Sequence, residues 1–225
     1  GASGAPTAVP RSLDELERLR QLCQDDGLNA QTSCEHGEPW ETILRSAVAV
    51  KADLIAVGEP ESSVGQSERA LGSTAERVVR QAPCSVLIAC GRLRDDYRGA
   101  RLAVGVDFSP DSIEAVRWAR DVARAIDGSV ALAHVETESD AGGLSSGARA
   151  RLEQLVVSEG LGSEASVHVV EGSVGTRLCE TVDELGADLL FVGCRGQARQ
   201  RGETLGSTTQ DCLRLSRVPV IAVRG

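Results

Sequence analysis

Two parts of this chain are copies of one another, and that repeat constrains the fold more than any other feature. Ala52-Asp53-Leu54-Ile55-Ala56-Val57-Gly58 aligns with Ala187-Asp188-Leu189-Leu190-Phe191-Val192-Gly193. Gly72-Ser73-Thr74 aligns with Gly206-Ser207-Thr208, and Ser85-Val86-Leu87-Ile88 with Pro219-Val220-Ile221-Ala222. The offset is 135 residues for the first block and 134 for the others, with a one-residue slip in the loop between them. Solenoid units run roughly 20 to 50 residues, so a period this long marks a duplicated domain.

The second copy reads as strands alternating with helices. Leu102 to Val106 is an apolar strand, and Ser109-Pro110-Asp111 opens a helix with a capping hydroxyl and a proline in the first turn. Ile113, Val116, Ala119, Ala123 and Ile126 give that helix one apolar face, and Gly128 ends it. Val130 to Val135 is the next strand. A Gly/Ser-rich loop around Ala141 to Gly147 then leads to a helix carrying Leu152, Leu155 and Val156. Val167–Val170, Gly175–Leu185, Asp188–Val192, Ser207–Leu215 and Pro219–Val223 complete five strands and four helices. Such alternation predicts an α/β fold, a parallel sheet with right-handed crossovers. With aromatics at 2%, the interior must come from Val, Leu, Ile and Ala, which suits a sheet sandwiched by helices.

The first copy begins late. Residue 1 aligns with about residue 136, so counterparts of Leu102 to Val135, the first two strands, are missing from it. It offers a helix with Leu13, Leu16, Leu19 and Leu22 stopped by Gly27, then a strand near Ala30 to Cys34 and a helix from about Pro39 to Lys51. The strand Leu54–Val57, the helix Ser73–Ala82 halted by Pro83, and the strand Ser85–Ala89 follow. Residues 1–10, rich in Gly, Ala, Ser and Pro, read as a mobile end, and Arg92 to Gly99 as a linker. The expected domains are therefore 1–95, partial and degenerate, and 96–225, complete. The absence of any methionine makes the chain a trimmed product or a piece of a longer one. The half-sheet should then be completed by upstream residues or by a second chain, with Ser85–Ala89 pairing near Pro219–Val223.

A chemical motif sits at the end of the fourth strand of the second copy. Gly193-Cys194-Arg195-Gly196 and Gly206-Ser207-Thr208 are nine residues apart, after Leu189-Leu190-Phe191-Val192 and before a helix. Glycines let backbone approach a ligand closely, and a helix start adds unpaired N–H groups and the positive end of its dipole. The pattern is a seat for phosphates, or a loop that uses glycine only to turn. No Gly-x4-Gly-Lys-Ser/Thr run and no G-x-G-x-x-G after a strand occurs, which speaks against P-loop and dinucleotide-binding enzymes. The net charge of −9 speaks against nucleic-acid binding. No apolar run is long enough to span a membrane. Seven cysteines at irregular spacings read as reduced thiols in a cytoplasm, and Cys34-Glu35-His36 lacks a second ligand pair for zinc.

Three features now carry a resemblance: Gly193-x2-Gly196-x9-Gly206-Ser207, the opening Val104-Gly105-Val106-Asp107-Phe108-Ser109-Pro110-Asp111-Ser112, and the ending Pro219-Val220-Ile221-Ala222-Val223. In these the chain resembles the universal stress protein family in its tandem form, over all of roughly 100–225 and less completely over 11–90. The resemblance implies an open five-stranded sheet in the order 3-2-1-4-5, pairing of tandem halves or of a homodimer through the last strand, and, in one subgroup, ATP binding. It implies that Asp107 accepts hydrogen bonds from adenine or ribose and that Val135 contacts the base. Gly193, Gly196, Gly206, Ser207 and Thr208 would hold ribose and phosphates. Arg195, Arg199 and Arg201 are candidate phosphate contacts or solvated side chains, Asp107 is alternatively a helix cap, and His134 reads as a core or edge histidine. The cofactor implied is ATP, with or without magnesium.

The first copy departs from the pattern. Glu61 stands where the second glycine should be, and its loop is one residue longer. Unit charges about 4 Å apart interact by roughly 4 kcal/mol at an effective dielectric near 20, so a carboxylate beside a phosphate makes this half a poor ATP site. The leading expectation is an adenine-nucleotide-binding regulator of the stress response, with no catalytic residues and at most slow ATP hydrolysis. The alternative is an interaction module that binds no nucleotide. An adenylating enzyme would need a further catalytic domain or second signature, and neither is seen.

Overall fold

The computed structural model describes residues 9–58, 72–137, 145–196 and 205–225. The chain divides into two compact units, residues 1–42 and 43–225.

In the first unit, helix α1 spans Val9–Asp25. Gly27 ends it at φ +81°, and the amides of Gly27 and Leu28 close on the carbonyls of Gln24 and Cys23. Glycine makes that left-handed stop without strain. The expected strand near Ala30 to Cys34 does not form. A strand is a property of a pair of segments, and no ladder among the described residues includes these. Helix α2, Pro39–Val50, begins in this unit and ends in the next.

The second unit is built on one sheet. Its strands are β1 (Leu54–Gly58), β2 (Ser85–Ala89), β3 (Arg101–Gly105), β4 (Ser129–Glu136), β5 (Ser166–Glu171), β6 (Leu189–Gly193) and β7 (Val220–Val223). Helices α3 (Ser73–Gln81), α4 (Pro110–Ala125), α5 (Ser145–Ser158), α6 (Val174–Glu184) and α7 (Ser207–Leu215) join them. The order across the sheet is β1-β2-β7-β6-β3-β4-β5. Its last five members are the expected 3-2-1-4-5 arrangement of the second copy, all parallel.

The two first-copy strands extend that sheet. β2 pairs antiparallel with β7, with Val86 opposite Ala222 and Ile88 opposite Val220, so the copies join through their last strands within one chain, as expected. The core lies where α4 crosses β3 and β6: Leu102, Val104, Val116 and Phe191 are all fully buried there. Each such side chain contributes about 1.5–3 kcal/mol relative to an exposed position.

Candidate functional site

β3 pairs with β4 on one side and β6 on the other, so the chain switches direction across the sheet at β3. In a parallel sheet a crevice opens beyond the carboxyl ends of the strands at such a point. Here a cavity of about 660 Å³ opens there. Its lining includes Asp107, Val135, Gly193, Arg195, Gly196, Gly206, Ser207 and Thr208, so every described candidate residue lies around one space. Arg199 and Arg201 lie outside the described residues, as does Glu61 of the first copy.

The glycines are set by close approach. A Cβ at Gly193 would stand 2.8 Å from the Ser112 amide nitrogen and 2.9 Å from two Asp111 atoms, so β6 can meet the start of α4 only without a side chain. A Cβ at Gly196 would stand 2.9 Å from Oδ2 of Asp107. The signature loop thus runs close to the residue expected to hold base or ribose. Gly206 precedes α7, its amide donating to the Cys194 carbonyl at 2.8 Å. The amides of Ser207, Thr208 and Thr209 come in the first turn, before the first i to i−4 bond (Gln210 to Gly206, 3.0 Å). Thr209 Oγ1 donates to the Gly193 carbonyl at 2.7 Å and ties the helix start to the strand end.

Asp107 lies two residues past β3 and is half-buried; its Oδ1 accepts from the Ser109 amide at 2.9 Å. Ser109 is the cap of α4, its Oγ accepting from the Ser112 amide at 3.3 Å. Asp107 therefore braces the cap residue without being the cap. Arg195 is held by Asp111: Nε donates to Oδ2 at 2.9 Å, Nη2 to Oδ1 at 3.2 Å, and the Arg195 amide to Oδ2 at 3.1 Å. The Asp111 side chain is only 3% exposed, so it needs these donors. The same Nη2 reaches the Gly225 carbonyl at 3.0 Å, and the guanidinium pKa is raised, first by its hydrogen bond to Asp111.

Sequence reasoning did not find the wall opposite the glycines. His134 donates Nδ1–H to the Val106 carbonyl at 2.6 Å, and its ring lies 5.1 Å from that of Phe108. The Arg151 guanidinium sits 3.7 Å over the Phe108 ring, and Phe108 takes φ +62°. Glu136, buried, lines the same cavity. Their signal in the sequence was faint: Phe108 stood within the strand-one motif, but Arg151 comes from a different helix. Beneath the loop, Cys194 is buried, and desolvation pushes its thiol up to about 11.

The model of the universal stress protein family matches residues 2–89 and 100–224. A universal stress protein of Methanocaldococcus jannaschii is 33% identical over 75 residues, which is 33% of this chain and 44% of that protein. One of Thermus aquaticus is 36% identical over 89 residues, 36% of this chain and 60% of that protein. The chain thus spans about half the length of these relatives. Among solved structures, a universal stress protein of Archaeoglobus fulgidus superposes with a TM-score of 0.71 at 22% identity, over 98% of this chain and 83% of its own. A protein of unknown function from Pseudomonas aeruginosa gives 0.74 at 19% identity, over 97% and 79%. These two likenesses establish the fold. No described helix is long and apolar enough to cross a membrane.

Proposed function

The chain belongs to the universal stress protein family, and we propose that its second half binds an adenine nucleotide, ATP foremost, as a regulatory rather than catalytic site. The observation that carries this reading is the convergence of the signature glycines, the α7 start and Asp107 on one cavity. The fit is in the backbone. The space beside Gly196 is one that a Cβ would narrow against Asp107, and the first turn of α7 offers N–H groups to anionic oxygen.

In this reading Ser207, Thr208 and the glycine loop hold phosphates, with Asp107 and Val135 at the base or ribose. The Arg195 guanidinium is already engaged by Asp111 and acts by fixing the loop. Arg151 brings a cation to the cavity wall. Any magnesium would enter on the nucleotide's own phosphates. The seven cysteines, none of them in a disulfide, suit a reducing cytoplasm.

Isothermal titration of the full chain with ATP, ADP and AMP tests the reading; close to one site per chain is expected. Gly196→Glu should abolish binding, because it puts a carboxylate beside Asp107 and the phosphates. Asp107→Ala should weaken binding beyond what its lost bond to Ser109 does to stability, about 1 kcal/mol. No binding of any adenine nucleotide at millimolar concentration would replace this reading with that of an interaction module.

A further inference from the structure

Two carboxylates line the cavity, Asp107 and Glu136, and they differ in how they are satisfied. Asp107 accepts from the Ser109 amide at 2.9 Å. Glu136 is only 4% exposed, yet its side chain makes no hydrogen bond or ion pair among the described residues. Buried charges are ordinarily paired, because taking a carboxylate out of water is costly. The two cations in the lining do not pair with it: Arg195 bonds to Asp111, and Arg151 lies over the Phe108 ring. Its ladder neighbour on β5 is Glu171, a second acid. The cavity is the remaining source of a donor.

The strand order gives that cavity a direction. β6, β3 and β4 are neighbours in that sequence across the sheet. The glycine loop with the α7 start, then Asp107, then Glu136 therefore stand in a row at the carboxyl ends of the strands. Adjacent strands lie about 4.8 Å apart, so the row spans roughly 10 Å. A nucleotide is itself a row of phosphate, sugar and base. With its anionic oxygens drawn to the N–H groups of the α7 start, its base comes to the β4 end, beside Val135 and Glu136. The reverse placement would set phosphate against a buried carboxylate, and like charges repel.

We propose that Glu136 selects the base: its carboxylate accepts a hydrogen bond from the exocyclic amino group of a 6-aminopurine. This rests on the nucleotide reading above and extends it to the residue that chooses among bases. An ionised carboxylate can only accept. On adenine the amino group is the donor, while the ring nitrogens N3 and N7 accept, and a 6-oxo purine presents an acceptor at the same place. A purine without the amino group would leave Glu136 buried and still unpaired. Sites built around such a group reject the analogue that lacks its partner far more strongly than an apolar pocket rejects a missing methylene.

Calorimetric titration of the full chain with ATP, with purine riboside triphosphate (hydrogen in place of the amino group) and with dATP tests the proposal. ATP should bind about tenfold or more tighter than the purine riboside analogue, and dATP should bind like ATP. In Glu136→Ala the preference should collapse to near equality, with ATP weakened and the analogue not. Glu136→Gln keeps an accepting oxygen in nearly the same shape without the charge, and should reduce the preference even if the alanine variant folds poorly. The proposal falls if the unmodified chain binds ATP and the analogue equally, or if the variants keep the full preference. It falls also if dATP loses as much affinity as the analogue, which would put Glu136 on the ribose. Equal binding leaves the nucleotide reading standing, whereas no binding of any of the three overturns that reading and this one with it.

Discussion

Gly193 and Gly58 occupy the same place in the two copies, so one methyl group added at each separates packing from chain entropy. In Gly193→Ala the new carbon would lie 2.8 Å from the Ser112 nitrogen and 2.9 Å from the Asp111 carbonyl carbon and Cβ. Ordinary carbon contacts are about 3.5–4.0 Å, so something must retreat by roughly half an ångström or more. Two of the three atoms are backbone in the first turn of α4, and no rotamer change moves them. Overpacking of this kind costs about 1–3 kcal/mol. Gly→Ala also restricts the unfolded chain, worth about 0.4–1 kcal/mol of stabilisation where the native φ is compatible. In Gly58→Ala only that second effect operates, because the methyl group meets nothing within 4 Å among the described residues. The unfolded-state term is common to both variants, so their difference reads the overpacking alone. Urea unfolding should place Gly193→Ala about 1–3 kcal/mol below Gly58→Ala, with equal m-values. For a chain of this size that is about 2–4 °C of melting temperature per kcal/mol. If the two variants unfold at the same denaturant concentration, the close approach of α4 to β6 does not explain the glycine.

Arg195→Ala removes two charge-assisted bonds from the buried Asp111 carboxylate while the main-chain amide of residue 195 keeps its own. Losing one partner of a fully buried pair costs about 3–5 kcal/mol. With Arg195 28% exposed and one donor retained, about 2 kcal/mol is expected by urea unfolding. Alkaline pH should destabilise the fold through Cys194. Its folded thiol titrates at about 11 against an ordinary 9.0, so the unfolded chain releases the proton first and stability falls as pH rises. The contribution is intact below pH 9 and is lost between 9 and about 11, some 3 kcal/mol in all. Unfolding free energies measured under reducing conditions across that window, with Cys194→Ala as the flatter comparison, check it.

The strand order and the site loop were legible because each rests on local pattern plus a topological rule. Buried runs such as Leu189-Leu190-Phe191-Val192 alternate with capped helices, and parallel strands joined by right-handed crossovers leave few arrangements. The segment Ala30–Cys34 misled: by the repeat offset its counterpart lies in the strand Ser166–Glu171. That counterpart is held by β4 from Ala131 to Glu136, a neighbour that the first copy does not provide among the described residues. The role of Asp111 was hidden for a related reason. At a helix start it reads as a dipole-matched acid, and only the fold reveals that Arg195, 84 residues away, is its partner. Arg195 in turn reads as a phosphate contact or a solvated side chain, and only the fold shows that its guanidinium bonds to Asp111. Contacts between elements distant in sequence leave no periodicity behind them.

The antiparallel seam between β2 and β7 sets a timetable for synthesis. Val86 pairs with Ala222, 136 residues later in the chain. At about 5–20 residues per second, a ribosome that has just made β2 needs roughly 7 to 27 seconds to deliver its partner. Until then β2 lacks the partner that pairs with it on that side. That edge of β2 therefore waits until almost the last residues emerge to pair with it.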